Sequence, residues 1–217
     1  MTPEFATLVN PTFHYVLDLT ERIQRGESVD LRKERAVIRS GLEEAENRAS
    51  SDSCAVRLED FRLAKMALIY WIDEVLTVAD RNWQSITLEW DYYGTRDRAW
   101  KFYVDGELKA RKASPDVVEV WYLCLVLGFE GDVINAFLEH LKDSRFEGME
   151  PEQCRKAWAA ELAQQIRQQK LPELPGRPLE GDVRPLTGGP RLAAALKWTL
   201  ALFTLFLVLL YFAFGRR

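Results

Sequence analysis

The chain has 217 residues, of which 47% are hydrophobic and 29% are charged, and its formal net charge is −4. The charge is unevenly distributed, because residues 191–217 contain four basic and no acidic side chains, whereas residues 1–190 contain 25 basic and 33 acidic ones. A region with a net charge of −8 does not offer the broad basic face that a nucleic-acid backbone requires, so no nucleic-acid partner is expected. The seven Trp, seven Tyr and eleven Phe exclude a chain that is disordered throughout.

Apolar side chains recur at helical spacing along most of the first 170 residues. The clearest stripe, which includes Phe61, Leu68 and Ile72, predicts a central helix because the segment around it is apolar nearly all round. Residues 83–95 carry no clear pattern beyond a turn at Tyr93-Gly94. The spacing predicts helices over residues 13–25, 30–49, 58–80, 96–112, 132–142 and 151–169, and Val104-Asp105-Gly106 leaves a break in the helix over 96–112 open.

The apolar segment 117–129 follows Ser114-Pro115, a pair typical of a helix N-cap and first helical position. Its valines leave a buried strand open, but its length and this cap favour a helix. Thirteen residues are too few to span a bilayer. Gly131 is the candidate residue for the C′ position that would end this helix.

The C-terminal residues predict a membrane anchor. Residues 196–214 are interrupted by a single charge, and as a helix they would be about 28 Å long, close to the ~30 Å hydrocarbon core of a bilayer. Lys197 is placed to extend to the headgroups, and Trp198 and Tyr211 occupy the positions of interfacial aromatic residues. The chain is thus divided into a helical domain (1–170), a Pro/Gly-rich tether (171–191) and a transmembrane anchor (192–217).

The first 19 residues have neither the basic region nor the apolar region of a signal peptide. We therefore expect residues 1–170 in the cytoplasm and the chain in a bacterial inner membrane as a single-pass protein. The three cysteines are widely separated in sequence, which fits a reducing compartment.

No phosphate-binding, zinc-binding or nucleophile-elbow motif is present in the sequence, so we predict no catalytic residue, no cofactor and no metal site. The acidic pair Asp73-Glu74 is the most conspicuous charged feature. It is either a solvated helix end, an acidic spot that binds a partner, or a cap for the N-terminus of another helix. The glycines Gly128 and Gly131 either stop a helix or form a tight corner that presents Phe129 to a partner.

Two segments resemble a known family. The run ALIYWIDEVL (67–76), the following Trp83 and the run WYLCLVLGFEG (121–131) are similar in order and spacing to the DotU/TssL family of inner-membrane secretion proteins. The resemblance implies an all-α fold, with a hook-shaped cytoplasmic domain of two small helical bundles and one C-terminal transmembrane helix. The chain departs from the family's usual residues at 94–97 and at 132–133.

The resemblance implies a structural role, not an enzymatic one, in a type VI secretion membrane complex. The implied partners are an IcmF/TssM-like inner-membrane protein and baseplate components, and a homodimer is left open. Alternatives are the DotU component of a type IVB system, or a tail-anchored adaptor or enzyme of an unrelated pathway. The residues expected to bind partners are Asp73, Glu74, Phe129 and Glu130, and those expected to form the structural motif are Trp71, Gly128 and Gly131.

Overall fold

A computed structural model describes residues 1–51 and 54–170 of the chain. This part is helical and contains no strand, so the all-α prediction is confirmed for it. In chain order its α-helices are α1 (Pro3–Gln24), α2 (Leu31–Ala49), α3 (Leu58–Ala79), α4 (Leu88–Tyr93), α5 (Arg98–Leu108), α6 (Pro115–Val126), α7 (Val133–Asn135) and α8 (Pro151–Lys170).

None of the helices in the described ranges has both the length and the apolar character needed to cross a membrane. The predicted tether and anchor, with Lys197, Trp198 and Tyr211, lie outside the described residues.

Helix α1 begins ten residues before the predicted start. Thr2 caps it by accepting a hydrogen bond from the backbone N–H of Phe5 at 3.4 Å, and a proline occupies the first helical position. Pro11 lies inside the helix, where it removes one backbone donor. The helix continues through it because Phe5 and Leu8 before it, like Phe13 after it, are buried in the core.

Helix α3 is the centre of the fold, as its apolar stripe predicts. It packs against α1, α2, α4, α5 and α6. The segment 67–73 is completely or almost completely buried, because helices cover it on several sides. The side chains on this helix therefore reach several other elements at once, and this decides where the acidic pair Asp73-Glu74 lies.

The stretch that the sequence left unassigned forms a 3₁₀ turn, Arg81–Ser85, and the short helix α4, which ends at the predicted turn with Gly94 at φ +65°. Helix α5 then runs through Gly106 without a break. A Cβ on Gly106 would lie 2.7 Å from the ring of Trp158 and 2.9 Å from the indole nitrogen of Trp121. Glycine at this position therefore allows two tryptophans to pack directly on the helix backbone.

Helix α6 confirms that most of the apolar segment 117–129 is helical, and the alternative of a buried strand is wrong. The C′ residue is Gly128, with φ +102°, and not Gly131 as predicted. The N–H of Gly128 donates to the carbonyl of Leu125 at 3.1 Å, and the N–H of Phe129 donates to that of Cys124 at 3.0 Å. This is the hydrogen-bond pattern of a Schellman motif, which satisfies the carbonyls at a helix end.

The predicted helix over 132–142 is only partly α-helical. After α7 the chain widens into a π-helical segment, Ala136–Leu141, and ends at Lys142 with φ +53°. Helix α8 then packs along α6 and contacts α7. The corner formed by residues 127–132 therefore lies between the end of α6 and the start of α7.

Candidate functional site

The acidic pair lies near the C-terminal end of α3, where consecutive side chains point about 100° apart. Asp73 and Glu74 consequently contact different parts of the fold. Asp73 faces the 3₁₀ turn and the start of α4, whereas Glu74 faces α5 and the corner at 127–132.

Asp73 is completely buried and its carboxylate accepts three hydrogen bonds. The donors are the indole N–H of Trp83 at 2.8 Å, the backbone N–H of Leu88 at 2.9 Å and the backbone N–H of Glu89 at 2.6 Å. The side chain of Thr87, which precedes α4, makes no capping bond. Asp73 therefore caps α4 from another helix, satisfying two amides that a helix N-terminus leaves without partners. Burial raises the pKa of Asp73, while its three hydrogen-bond donors act in the opposite direction.

Glu74 joins α3 to α5 and to the corner at 127–132. One of its oxygens accepts a hydrogen bond from Nε of Arg98 at 3.0 Å, and the other accepts one from the backbone N–H of Gly131 at 3.3 Å. Its side chain keeps 19% of its surface exposed. The carboxylate therefore fixes the corner from one side and remains partly accessible from the other.

Two charged residues that sequence reasoning missed complete this group. Glu89 is completely buried, and its Oε1 accepts hydrogen bonds from the backbone N–H of Asp97 at 2.6 Å and from the hydroxyl of Thr95 at 3.2 Å. Arg98 lies between the two glutamates, 3.0 Å from Glu74 and 3.7 Å from Glu89. Burial raises the pKa of Glu89, and the Arg98 guanidinium opposes that rise. The one signal in the sequence was the unusual stretch 94–97, which here supplies the donors to Glu89.

The two motif segments also meet through an aromatic residue. Trp71 is buried against Phe13, with ring centroids 5.0 Å apart, and its indole N–H donates to the carbonyl of Leu127 at 3.0 Å. At the other end of the corner, the backbone N–H of Asp132 donates a hydrogen bond to the carbonyl of Ala99 at 2.7 Å. The corner is thus tied to α3 at Leu127 and Gly131 and to α5 at Asp132.

Gly131 is required at its position by space as well as by conformation. Its φ is +55°, and an added Cβ would lie 2.5 Å from the carbonyl oxygen of Ala99 and 2.6 Å from the ring of Phe129. At Gly128 the φ is +102°, but the nearest atom to an added Cβ, on Val75, is 3.8 Å away. The two glycines therefore have different roles: Gly128 ends α6, and Gly131 allows close packing of the corner against α5.

The corner buries Phe129 and exposes Glu130. Phe129 is 2% exposed and stacks on Phe102, with ring centroids 4.0 Å apart. The hydroxyl of Tyr103 donates to the backbone carbonyl of Glu130, whose side chain is exposed to solvent. In this conformation Asp73 and Phe129 offer a partner almost no surface, so among the four residues expected to bind partners only Glu130 is freely accessible and Glu74 partly so.

The chemistry available at this site is that of a structural network. Each oxygen of Asp73 and Glu74 accepts an N–H donor, and the cation Arg98 lies between the two glutamates. Within residues 1–51 and 54–170, no group of three or more His, Cys, Asp or Glu side chains is arranged to hold a metal ion. The described part is therefore a helical domain whose charged centre connects helices.

The sequence matches the family described as "Type VI secretion system protein DotU" over residues 4–216, almost the whole chain. The chain therefore belongs to the DotU family, and the resemblance stated from its two motif segments is confirmed. No curated protein and no solved structure is matched by this chain. Membership of this family makes the protein a component of a type VI secretion system.

Proposed function

We propose that the protein is a structural component of a bacterial type VI secretion membrane complex, in which it connects an IcmF/TssM-like inner-membrane protein to the baseplate. The observation that carries this proposal is the family match over residues 4–216, which includes both motif segments and the apolar C-terminal residues. On this proposal residues 1–170 form a hook-shaped cytoplasmic domain of two small bundles, residues 171–191 a tether, and residues 192–217 a single-pass anchor in the inner membrane.

The contacts of the site residues support two different roles, direct binding and structural support. Glu130 and the accessible edge of Glu74 contact a partner directly, since their side chains keep exposed surface. Asp73 and Phe129 hold that surface in place, since both are buried and fixed by neighbouring elements. Loss of Asp73 would therefore weaken partner binding through the structure of α4 and not through a lost contact.

Crosslinking in native membranes, followed by mass spectrometry, tests the proposal. We expect one large IcmF/TssM-like protein as the main crosslinked partner of the full-length chain, together with baseplate proteins. A chain that lacks residues 192–217 is the matched control and should lose the membrane partner. Recovery of unrelated proteins alone would overturn the proposal, and an IcmF/TssM-like partner without baseplate proteins would indicate the type IVB alternative.

A further inference from the structure

The second half of α6 and the first half of α8 enclose a surface groove of about 240 Å³ beside the corner. Leu125, Phe129 and Ala159 are its less exposed apolar lining residues, and Val126 is 59% exposed beside them. The groove is smaller than the clefts of about 300–1,000 Å³ that hold small-molecule ligands. Its size suits one or two side chains of a docked segment.

The lining residues recur at helical spacing on both sides of the groove. On α8 they are Glu152, Arg155, Lys156 and Ala159, which lie on one face because they are separated by three or four residues. Leu125 and Val126 form the opposite side at the end of α6, and Phe129 follows after the Schellman motif. Two helix faces with a crevice between them are the usual receptor for an amphipathic helix, whose apolar side chains enter the crevice at intervals of three or four residues.

The charge around this groove is opposite to that of the domain. Lys156 pairs with Glu152 at 2.5 Å, whereas Arg155 is partly buried and, among the described residues, has no carboxylate oxygen within 4.0 Å. Burial raises the pKa of Tyr103 and the Arg155 guanidinium acts in the opposite direction, which agrees with a position of Arg155 near the corner. Arg155 makes no direct ion pair, since the nearby Glu152 carboxylate is paired with Lys156, and such a partly buried cation is a point at which an incoming carboxylate is favoured.

We propose that this groove binds an amphipathic helix of a partner protein in the secretion complex. The helix inserts a large apolar side chain beside Val126 and Phe129, and it places an Asp or Glu against Arg155. A membrane surface fits less well, because the three charged lining residues, Glu152, Arg155 and Lys156, sum to only one net positive charge, whereas binding to anionic lipid needs a cluster of basic residues. This inference rests on the proposed function, since the partner is taken to be a component of that complex.

Photocrosslinking from the edge of the groove tests the proposal. The full-length chain carries a benzoylphenylalanine in place of Val126 in native membranes, and the crosslinked peptide of the partner is mapped by mass spectrometry. We expect an amphipathic segment with an acidic residue. Arg155→Glu should lower the crosslinking yield at least tenfold. Arg167→Glu, at an exposed arginine on the same helix, should leave it within twofold. Reversing the mapped carboxylate of the partner to Arg should restore crosslinking to Arg155→Glu.

Several results would overturn the proposal: no crosslink from position 126, a crosslink to lipid or to a second copy of this chain, an equal effect of the two charge reversals, or no restoration by the reversed partner. If Arg155→Glu lowers the melting temperature, the test is repeated with Arg155→Met, which removes the charge but keeps most of the apolar stem. It should lower the yield at least threefold. If membrane crosslinking of the unmodified chain recovers an IcmF/TssM-like protein while the groove fails its test, only this inference is lost. Failure to recover any secretion component in that experiment would remove the proposed function itself.

Discussion

The carboxylate of Asp73 on α3 accepts a hydrogen bond of 2.9 Å from the backbone N–H of Leu88, the first residue of α4. Because the same carboxylate also binds the next amide and the indole of Trp83, a single buried side chain fixes the position of a six-residue helix. Such a short helix is not stable by itself in water. Its order in the protein therefore depends on this connection.

Replacing Asp73 with Ala should unfold α4 selectively. Three buried donors lose their acceptor, and we expect the chain to be destabilised by about 3 kcal/mol, because hydrogen bonds to charged groups are the costly ones to remove. Hydrogen exchange of the full-length chain in detergent measures this as lost protection at residues 88–93, with α1 unchanged. Glu59→Ala, at an exposed acid on the same helix, is the control and should have almost no effect. Unchanged protection of α4 in the Asp73 variant would contradict the capping role.

Replacing Gly131 with Ala should cost more than replacing Gly94 with Ala. Both glycines have positive φ, +55° and +65°, so both variants carry a backbone penalty of about 1 kcal/mol. Only at Gly131 does the new Cβ collide with a backbone carbonyl and a buried ring, whereas nothing lies within 4 Å at Gly94. The difference in melting temperature between the two variants measures this overlap. Equal melting temperatures would show that the corner relaxes freely.

Glu89 should make the protein less stable as the pH rises. Its pKa is raised in the folded state above its ordinary value of 4.5, so the folded chain holds this proton more tightly than the unfolded chain. The resulting stabilisation is present at low pH and is lost as the pH rises from about 4.5 through the folded-state pKa. The melting temperature of Glu89→Gln should therefore increase relative to the unmodified protein over this range. A melting-temperature difference that stays constant over this range would refute the prediction.

Replacing Glu130 with Ala should separate binding from stability. The side chain is exposed, and the bond that this residue makes with Tyr103 uses its backbone carbonyl, which the variant keeps. We expect the free energy of unfolding to change by less than about 0.5 kcal/mol, as for most surface substitutions, while crosslinking to the membrane partner falls. Glu147→Ala, at another exposed glutamate, is the matched control. Normal crosslinking of the Glu130 variant would remove this residue from the proposed binding surface.

Deleting residues 196–214 should release the chain from the membrane. These residues carry a single charge, on Lys197, and only two further polar side chains, both threonines, so their loss removes the proposed means of insertion. We expect the truncated protein in the soluble fraction with helical circular dichroism, and secretion should be lost in cells. Restoring secretion with an unrelated apolar helix of the same length would show that the segment acts only as an anchor. Secretion by the truncated chain itself would contradict the proposed anchor.

Local patterns in the sequence were sufficient for the class of fold. The apolar stripe of α3 and the apolar face of α8 express a period of 3.6 residues, and the Ser114-Pro115 cap marks the start of α6. Both kinds of signal depend only on neighbouring positions. The same patterns identified the motif segments through which the family was found, as well as the apolar C-terminal residues that we propose as an anchor. They placed the start of α1 too late, since the sequence alone does not show that burial of Phe5 and Leu8 overcomes a proline.

Only the tertiary structure decided what the charged residues do. Asp73 reaches a helix 15 residues later in the sequence, and Glu74 reaches a glycine 57 residues later. Glu89 and Arg98 joined the site although the unusual stretch 94–97 was the one local signal near them. Burial of a carboxylate depends on which helices pack around it, and helical periodicity carries no information about that packing. The sequence by itself therefore determined the helices and the acidic pair, whereas long-range packing made Asp73 a helix cap, buried Phe129 and left Glu130 exposed.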